Sequence, residues 1–205
     1  MITTTSESLR LLQDITERIN GQTFHHHCHI LYDLPLPSEN PNYLEIGCYA
    51  GASAILMLQK PNIRAISIDL GSPIHPSIVK KNIFANNPHN NLYRYILGDS
   101  HRKEIFDKLC NQTFDLLFID GDHTGPGVRK DWEMYEPLVI TNGFIVFDDY
   151  HDRVHSPEVG PEVDKIAADL DPERYQIIGT LPNVYKARGF PEDFTDGNCF
   201  IIKKL

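Results

Sequence analysis

Two segments of the chain end in acids placed where acids could do chemistry. Residues 114–123 read Phe-Asp-Leu-Leu-Phe-Ile-Asp-Gly-Asp-His, and residues 143–151 read Gly-Phe-Ile-Val-Phe-Asp-Asp-Tyr-His. Each is an apolar run of strand length, and parallel strands open a ligand crevice at their carboxyl ends. Asp120, Asp148 and Asp149 are therefore expected to converge on one rim of a sheet. Gathered carboxylates repel one another at neutral pH, so either one of them takes up a proton or a hard, oxygen-seeking divalent cation sits among them. The second case would make the rim a reaction centre. Asp122 and His123, just past the first strand end, are within reach of such a centre.

Upstream, an apolar run leads into Glu45-Ile-Gly47-Cys48-Tyr49-Ala-Gly51-Ala-Ser53. This is a glycine-rich turn opening a helix, the kind of site where backbone can approach a nucleotide closely. The spacing is Gly-x-x-x-Gly, not the Gly-x-Gly-x-x-Gly of a dinucleotide site, so a pyrophosphate is not the obvious guest and a nicotinamide-dependent oxidoreductase is disfavoured. The next run ends in Asp69, where a carboxylate can accept hydrogen bonds from two ribose hydroxyls. The one after it ends in Gly98-Asp99-Ser100, which suits the rim of an adenine pocket.

The elements that must position these residues alternate. After an amphipathic helix over 6–20, with Leu9, Leu12, Ile15 and Ile19 on one side and Gly21 as its stop, strands are expected at 43–46, 64–69, 92–97, 114–120 and 143–148. Helices at 52–58, 77–86, 102–110 and 128–135 fill the gaps. Repeated βα units predict a parallel sheet with helices on both faces. A helix at 162–170, a strand at 175–181 and a last strand at 199–203 then close the sheet edge as a hairpin-type pair. The expectation is an α/β, Rossmann-like, seven-stranded and mostly parallel sheet whose last strand is antiparallel. All 205 residues are expected to form one domain: an N-terminal helix and lid-like segment (1–40), a cofactor-binding core (41–150), and substrate-side loops with closing strands (151–205).

Composition narrows the partners. The formal charge is −9, and no basic run exceeds the terminal Lys203-Lys204, which argues against nucleic acid and against an anionic membrane. No leader-like or membrane-spanning stretch is present, and Cys28, Cys48, Cys110 and Cys199 lack Cys-x-x-Cys spacing. The reading is a soluble, cytoplasmic protein with reduced thiols. The run His25-His26-His27-Cys28-His29 lacks the separated ligands of a zinc site and reads as polar linker or lid. Trp132 falls at core spacing on its helix. The loops 151–161 and 182–197, the latter with Tyr185, Phe190 and Phe194, are where acceptor choice would be written.

Taken together, Leu-Glu45-Ile-Gly47-x-x-x-Gly51-x-Ser53, Ile-Asp69, Leu-Gly98-Asp99-Ser100, Ile-Asp120-Gly-Asp122-His123 and Phe-Asp148-Asp149-Tyr resemble a class I S-adenosylmethionine-dependent methyltransferase over roughly residues 40 to 205. Within that class, the Asp-Gly-Asp-His and Asp-Asp-Tyr pair resembles the macrocin- and novobiocin-type sugar O-methyltransferases and the cephalosporin-hydroxylase-like proteins. The resemblance implies S-adenosylmethionine held on its methionine side by the turn carrying Glu45, Gly47, Cys48, Tyr49, Gly51 and Ser53. Asp69 would meet the ribose and Asp99 and Ser100 the adenine, and Asp120 would both contact the cofactor and take part in catalysis. It further implies Mg²⁺ or Mn²⁺ on Asp120, Asp148 and Asp149, by similarity to the catechol-type metal triad. The activated methyl group needs only an in-line nucleophile that has lost its proton. His123 is the first choice as general base and Asp122 its competitor; His151 carries less weight. The implied function is metal-assisted O-methylation of a hydroxyl on a sugar, a glycan or a glycosylated small molecule. The alternatives are a catechol- or phenol-type small-molecule O-methyltransferase and a non-catalytic S-adenosylmethionine-binding module. An oxygenase would want two histidines and a carboxylate on iron, which an acid-only rim does not supply. Self-association and fusion to glycosyltransferase domains are both compatible with the chain.

Overall fold

The computed structural model describes residues 5–19, 26–182 and 196–205. His25 and most of the loop carrying Tyr185, Phe190 and Phe194 lie outside the described residues. Helix α1 (Ser6–Arg18) starts at Thr5, whose hydroxyl accepts the Ser8 N–H at 3.2 Å, and it ends two residues before the expected Asn20. Asp33, which closes the short helix α2 (Ile30–Asp33), fixes this start by accepting the Ser8 hydroxyl at 2.6 Å.

Seven strands follow: β1 (Asn42–Ile46), β2 (Arg64–Asp69), β3 (Leu92–Leu97), β4 (Phe114–Ile119), β5 (Val139–Phe147), β6 (Tyr175–Pro182) and β7 (Asp196–Lys204). They form one sheet in the order β3-β2-β1-β4-β5-β7-β6. The first five are parallel, whereas β7 runs antiparallel to both β5 and β6. The closing pair is a hairpin, as expected, but its second strand inserts between β5 and β6. An insertion of this kind leaves no mark in local sequence pattern, because β6 and β7 are apolar strands in either order.

Helices α3 (Ala52–Leu58), α4 (Pro76–Ala85), α5 (Lys103–Phe106), α6 (Gly125–Tyr135) and α7 (Val159–Ala168) complete the fold. Side chains alternate along the central strands. Tyr43, Phe118, Val146 and Ile201 face a core shared with α1 through α4, while Leu44, Leu117, Ile145 and Ile202 face a second core with α5, α6 and α7. Helix α5 is far shorter than the expected 102–110, and α6 begins earlier than expected because Thr124 caps it, its hydroxyl accepting the Gly127 N–H at 3.1 Å. Trp132 is buried on α6 against Phe147 and Tyr175, as its spacing indicated. Among the described residues no helix is long and apolar enough to cross a membrane.

The strand ends are tied in a row. Gly47 N–H donates to the Ile68 carbonyl at 2.9 Å, Gly98 N–H to Asp69 at 2.9 Å, Asp120 N–H to Ile46 at 2.8 Å and Asp148 N–H to Ile119 at 3.0 Å. Each loop thus begins with its first amide anchored on the neighbouring strand. The order of β1 and β4 makes this the switch point of the sheet, where the connections diverge and a crevice opens.

Candidate active site

A cavity of about 680 Å³ opens along that row, within the size range of small-molecule sites. Gly47, Cys48, Tyr49 and Ser53 line one part of it, Asp69, Asp99 and Ser100 another, and Asp120, Asp122, His123, Asp148 and Asp149 a third. Nearly every residue singled out from sequence therefore reaches a single cavity.

Glu45, Gly51 and His151 are the exceptions. Glu45 has no exposed surface. One of its oxygens accepts the hydroxyls of Tyr43 and Ser53, each at 2.7 Å, and the other accepts Ser67 at 2.6 Å. Burial raises its carboxyl above the usual range and these hydrogen bonds oppose that shift. Glu45 is a clamp beneath the glycine turn, joining β1, β2 and α3, and makes no wall for a cofactor. Gly51 stands at the start of α3 with φ +97°, facing Val79 and Ile83 of α4.

The need for glycine at position 47 also has a different origin from the one expected. Its φ is +85°, and a Cβ there would lie 1.8 Å from the Asp120 carbonyl oxygen. What approaches Gly47 is the chain's own backbone at the end of β4. Asp69 completes the turn: its carboxylate accepts the amides of Cys48 at 2.8 Å, Tyr49 at 3.0 Å and Gly71 at 2.6 Å, and the Tyr95 hydroxyl at 3.3 Å.

At the other end, the ligand atoms of Asp120, His123 and Asp149 lie within 4.8 Å of one another. His123 Nε2 is 3.3 Å from Asp120 and Nδ1 is 3.4 Å from Asp149. Hydrogen bonding to Asp120, with the charges of Asp120, Asp149 and Asp148, raises the imidazole to about 9 against the opposing effect of burial. Burial, and then the charge of Asp148, push the Asp120 carboxyl up.

This grouping differs from the expected set of three acids. Asp149 has φ +55°, a left-handed turn that separates the directions of two adjacent side chains. Asp149 faces His123, whereas Asp148 is buried, with the Cys199 thiol donating to it at 3.4 Å. Asp148 still lines the cavity and acts on Asp120 through its charge. Asp122 accepts the Thr124 N–H at 3.0 Å, so its carboxylate holds the turn into α6, a task that competes with proton transfer. His151 packs edge-on against the neighbouring Tyr150 ring and is not part of the cavity wall.

Sequence reasoning missed Ser156 and Asn198. Ser156 is fully buried in the loop before α7. Its hydroxyl donates to Asp149 at 2.6 Å and lies 2.8 Å from His123 Nδ1. Asn198 on β7 donates to the other oxygen of Asp149 at 3.2 Å and accepts the His151 N–H at 2.7 Å. Neither stands in a motif, and only the return of β7 beside β5 brings Asn198 here. Cys28, from the segment expected to be a lid, also reaches the cavity wall.

A family model described as a methyltransferase domain matches residues 44–150, the stretch from β1 to the residue after Asp149. The chain belongs to this methyltransferase domain family. An uncharacterized protein of Acanthamoeba polyphaga mimivirus is 40% identical to it over 181 residues, 82% of this chain and 81% of that one. The fold of this methyltransferase domain is shared with the O-methyltransferase of Bacillus cereus in complex with SAH (S-adenosylhomocysteine). That match has a TM-score of 0.64 and 19% identity, covering 100% of this chain and 93% of the other. It is shared too with the SAH-bound methyltransferase of Podospora anserina, at a TM-score of 0.63 and 17% identity over 98% and 88% of the two chains.

Proposed function

We propose that this methyltransferase domain is an S-adenosylmethionine-dependent O-methyltransferase, assisted by a divalent cation, whose acceptor is a hydroxyl of a sugar, a glycan or a glycosylated small molecule. The observation that carries the proposal is the placing of Asp120, His123 and Asp149 on the same cavity as the Gly47 turn and Asp69. Cofactor end and proton-handling end are thereby joined in one space. The sugar acceptor is supported by the resemblance of the Asp-Gly-Asp-His and Asp-Asp-Tyr motifs to the sugar-methylating branch.

The residues fit a cation. Asp120 and Asp149 face each other across an imidazole that holds its proton to about pH 9, a site that demands positive charge, and Asp148 adds a third carboxylate behind them. Asp120 and Asp149 would hold Mg²⁺ or Mn²⁺, with Asp148 contributing charge. Such an ion, when bound, polarises the acceptor oxygen and eases loss of its proton.

A cation on Asp120 and Asp149 would neutralise the carboxylates that hold the imidazole's proton, and His123, then uncharged, would be the residue that takes the hydroxyl proton. The single proton of Ser156 is committed to Asp149, so its oxygen accepts from His123 Nδ1–H. Nε2, on the side of Asp120 and the cavity, is then the nitrogen that exchanges a proton with the acceptor. The Gly47 turn and Asp69 hold the cofactor on the neighbouring wall, and orientation supplies the remaining rate enhancement.

Calorimetric titration of S-adenosylhomocysteine into metal-stripped protein, repeated with Mg²⁺ and with Asp149→Ala, tests this reading. Micromolar cofactor binding is expected, with a separate heat for Mg²⁺ that the variant loses. A screen of methyl glycosides against catechols with S-adenosylmethionine then separates the sugar acceptor from the phenolic one. Absence of cofactor binding under all these conditions would overturn the proposal.

A further inference from the structure

The nucleoside end of the cavity is built by two elements that share no motif. The loop after β3 supplies Asp99, Ser100 and His101 to the wall, and helix α6 stands behind that loop. Asp131 on α6 has a fully buried side chain; its Oδ1 accepts the Ser100 hydroxyl at 2.7 Å and lies 3.2 Å from His101 Nε2. One turn further along the same face, the Tyr135 hydroxyl donates to the Ser100 carbonyl at 2.8 Å. Within the loop, Asp99 accepts the His101 N–H at 2.9 Å. The loop is therefore gripped between an acid of its own and two side chains of α6.

A fully buried carboxylate is a costly way to pack a helix against a sheet, above all when part of it is unpaired. Oδ2 of Asp131 makes no hydrogen bond, and it lies 3.5 Å from where a Cβ on Gly121 would stand. Gly121 is itself on the cavity wall. An apolar side chain would fill this position more cheaply, so the acid is explained by what it holds in place. Helix α6 also begins directly after the His123 turn, at Gly125 with Thr124 as its cap. Asp131 stands seven positions past Thr124, a rigid span of about 10 Å at 1.5 Å per residue. One element thus fixes both the nucleoside loop and the turn carrying Asp120 and His123.

We infer that Asp131 is a positioning residue for the nucleoside: it holds the Ser100 hydroxyl where an adenosine moiety meets the loop, without touching the cofactor itself. The inference rests on the cofactor reading under Proposed function and deepens it by naming the side chain that sets the purine wall.

Calorimetry of S-adenosylhomocysteine and of adenosine alone, on the wild type, Asp131→Ala and Asp131→Asn, tests it. Asp131→Ala is expected to lose about tenfold in affinity, the scale of one hydrogen bond to a charged acceptor, by the same factor for both ligands. Its preference for adenosine over inosine narrows as well. Asp131→Asn, which keeps an acceptor for Ser100, recovers most of the loss. Ser100→Ala loses a similar factor, and combining it with Asp131→Ala costs little more, because the two act as one unit. If Asp131→Ala does not fold, Asp131→Asn and Ser100→Ala carry the test, the first near wild type and the second weakened. Folded Asp131→Ala or Ser100→Ala protein that binds adenosine as the wild type does would overturn the inference alone. Wild-type protein that binds neither ligand would overturn the cofactor reading and this inference with it.

Discussion

Replacing Gly47 by alanine separates two costs that a glycine-rich turn usually confounds. The first is conformational: at φ +85° an L-residue pays roughly 1–2 kcal/mol. The second is steric. The new Cβ would sit 1.8 Å from the Asp120 carbonyl oxygen, whereas carbon and oxygen ordinarily approach to about 3.3 Å, so the end of β4 must retreat by about 1.5 Å. That retreat strains the Asp120 N–H bond to Ile46, 2.8 Å long, and moves the carboxylate away from His123. Overpacking of this kind adds roughly 1–3 kcal/mol. Gly179 on β6 provides the control, because it has φ +78° with nothing within 4 Å of its Cβ position. Gly179→Ala should cost only the conformational part, lowering the melting temperature by about 2–8 °C for a chain of this size. Gly47→Ala should lower it by about 4–20 °C and abolish the Mg²⁺ heat in calorimetry, because Asp120 is displaced. Equal melting temperatures for the two variants, with the Mg²⁺ heat intact in Gly47→Ala, would refute the claim that this glycine exists for the approach of Asp120.

Two other expectations follow from the same geometry. Glu45→Ala leaves three buried hydroxyls, of Tyr43, Ser53 and Ser67, without their acceptor and should destabilise the fold by roughly 3–5 kcal/mol, read by urea unfolding. Glu45→Gln, which keeps a carbonyl, should lose less, and a loss under about 1 kcal/mol for the alanine variant would show that Glu45 is no clamp. In metal-free protein His123 holds its proton more tightly when folded than when unfolded, since its imidazole is raised to about 9. The stabilisation it gives is therefore complete below about pH 6.5, the unfolded value, and is lost as pH rises through about 9. NMR of the imidazole proton resonances should place its midpoint there, with melting temperatures declining between these limits in the wild type but not in His123→Gln. Titration near 6.5 would dissolve the Asp120–His123–Asp149 grouping.

Local pattern determined much of this protein. The alternation of apolar strands and amphipathic helices predicted a mostly parallel sheet and both helical layers, since side-chain period reports which face is buried. Acids and glycines at strand ends predicted the cavity, because carboxyl ends of parallel strands must share one rim. Tertiary structure decided what those residues do once there. Gly47 answers to the Asp120 backbone, a residue 73 positions away, and no turn signal encodes so distant a contact. Glu45 reads as a cofactor ligand in sequence, yet three hydroxyls from two strands and a helix enclose it. Adjacent Asp148 and Asp149 part company through one left-handed φ, which sends one to Cys199 and the other to His123. Ser156, Asn198 and Asp131 belong to no motif; the insertion of β7 beside β5 and the packing of α6 behind the β3 loop bring them to the site. Spacing along a chain fixes which side chains share a face, but long-range contacts between elements decide which of those side chains are left open to a ligand.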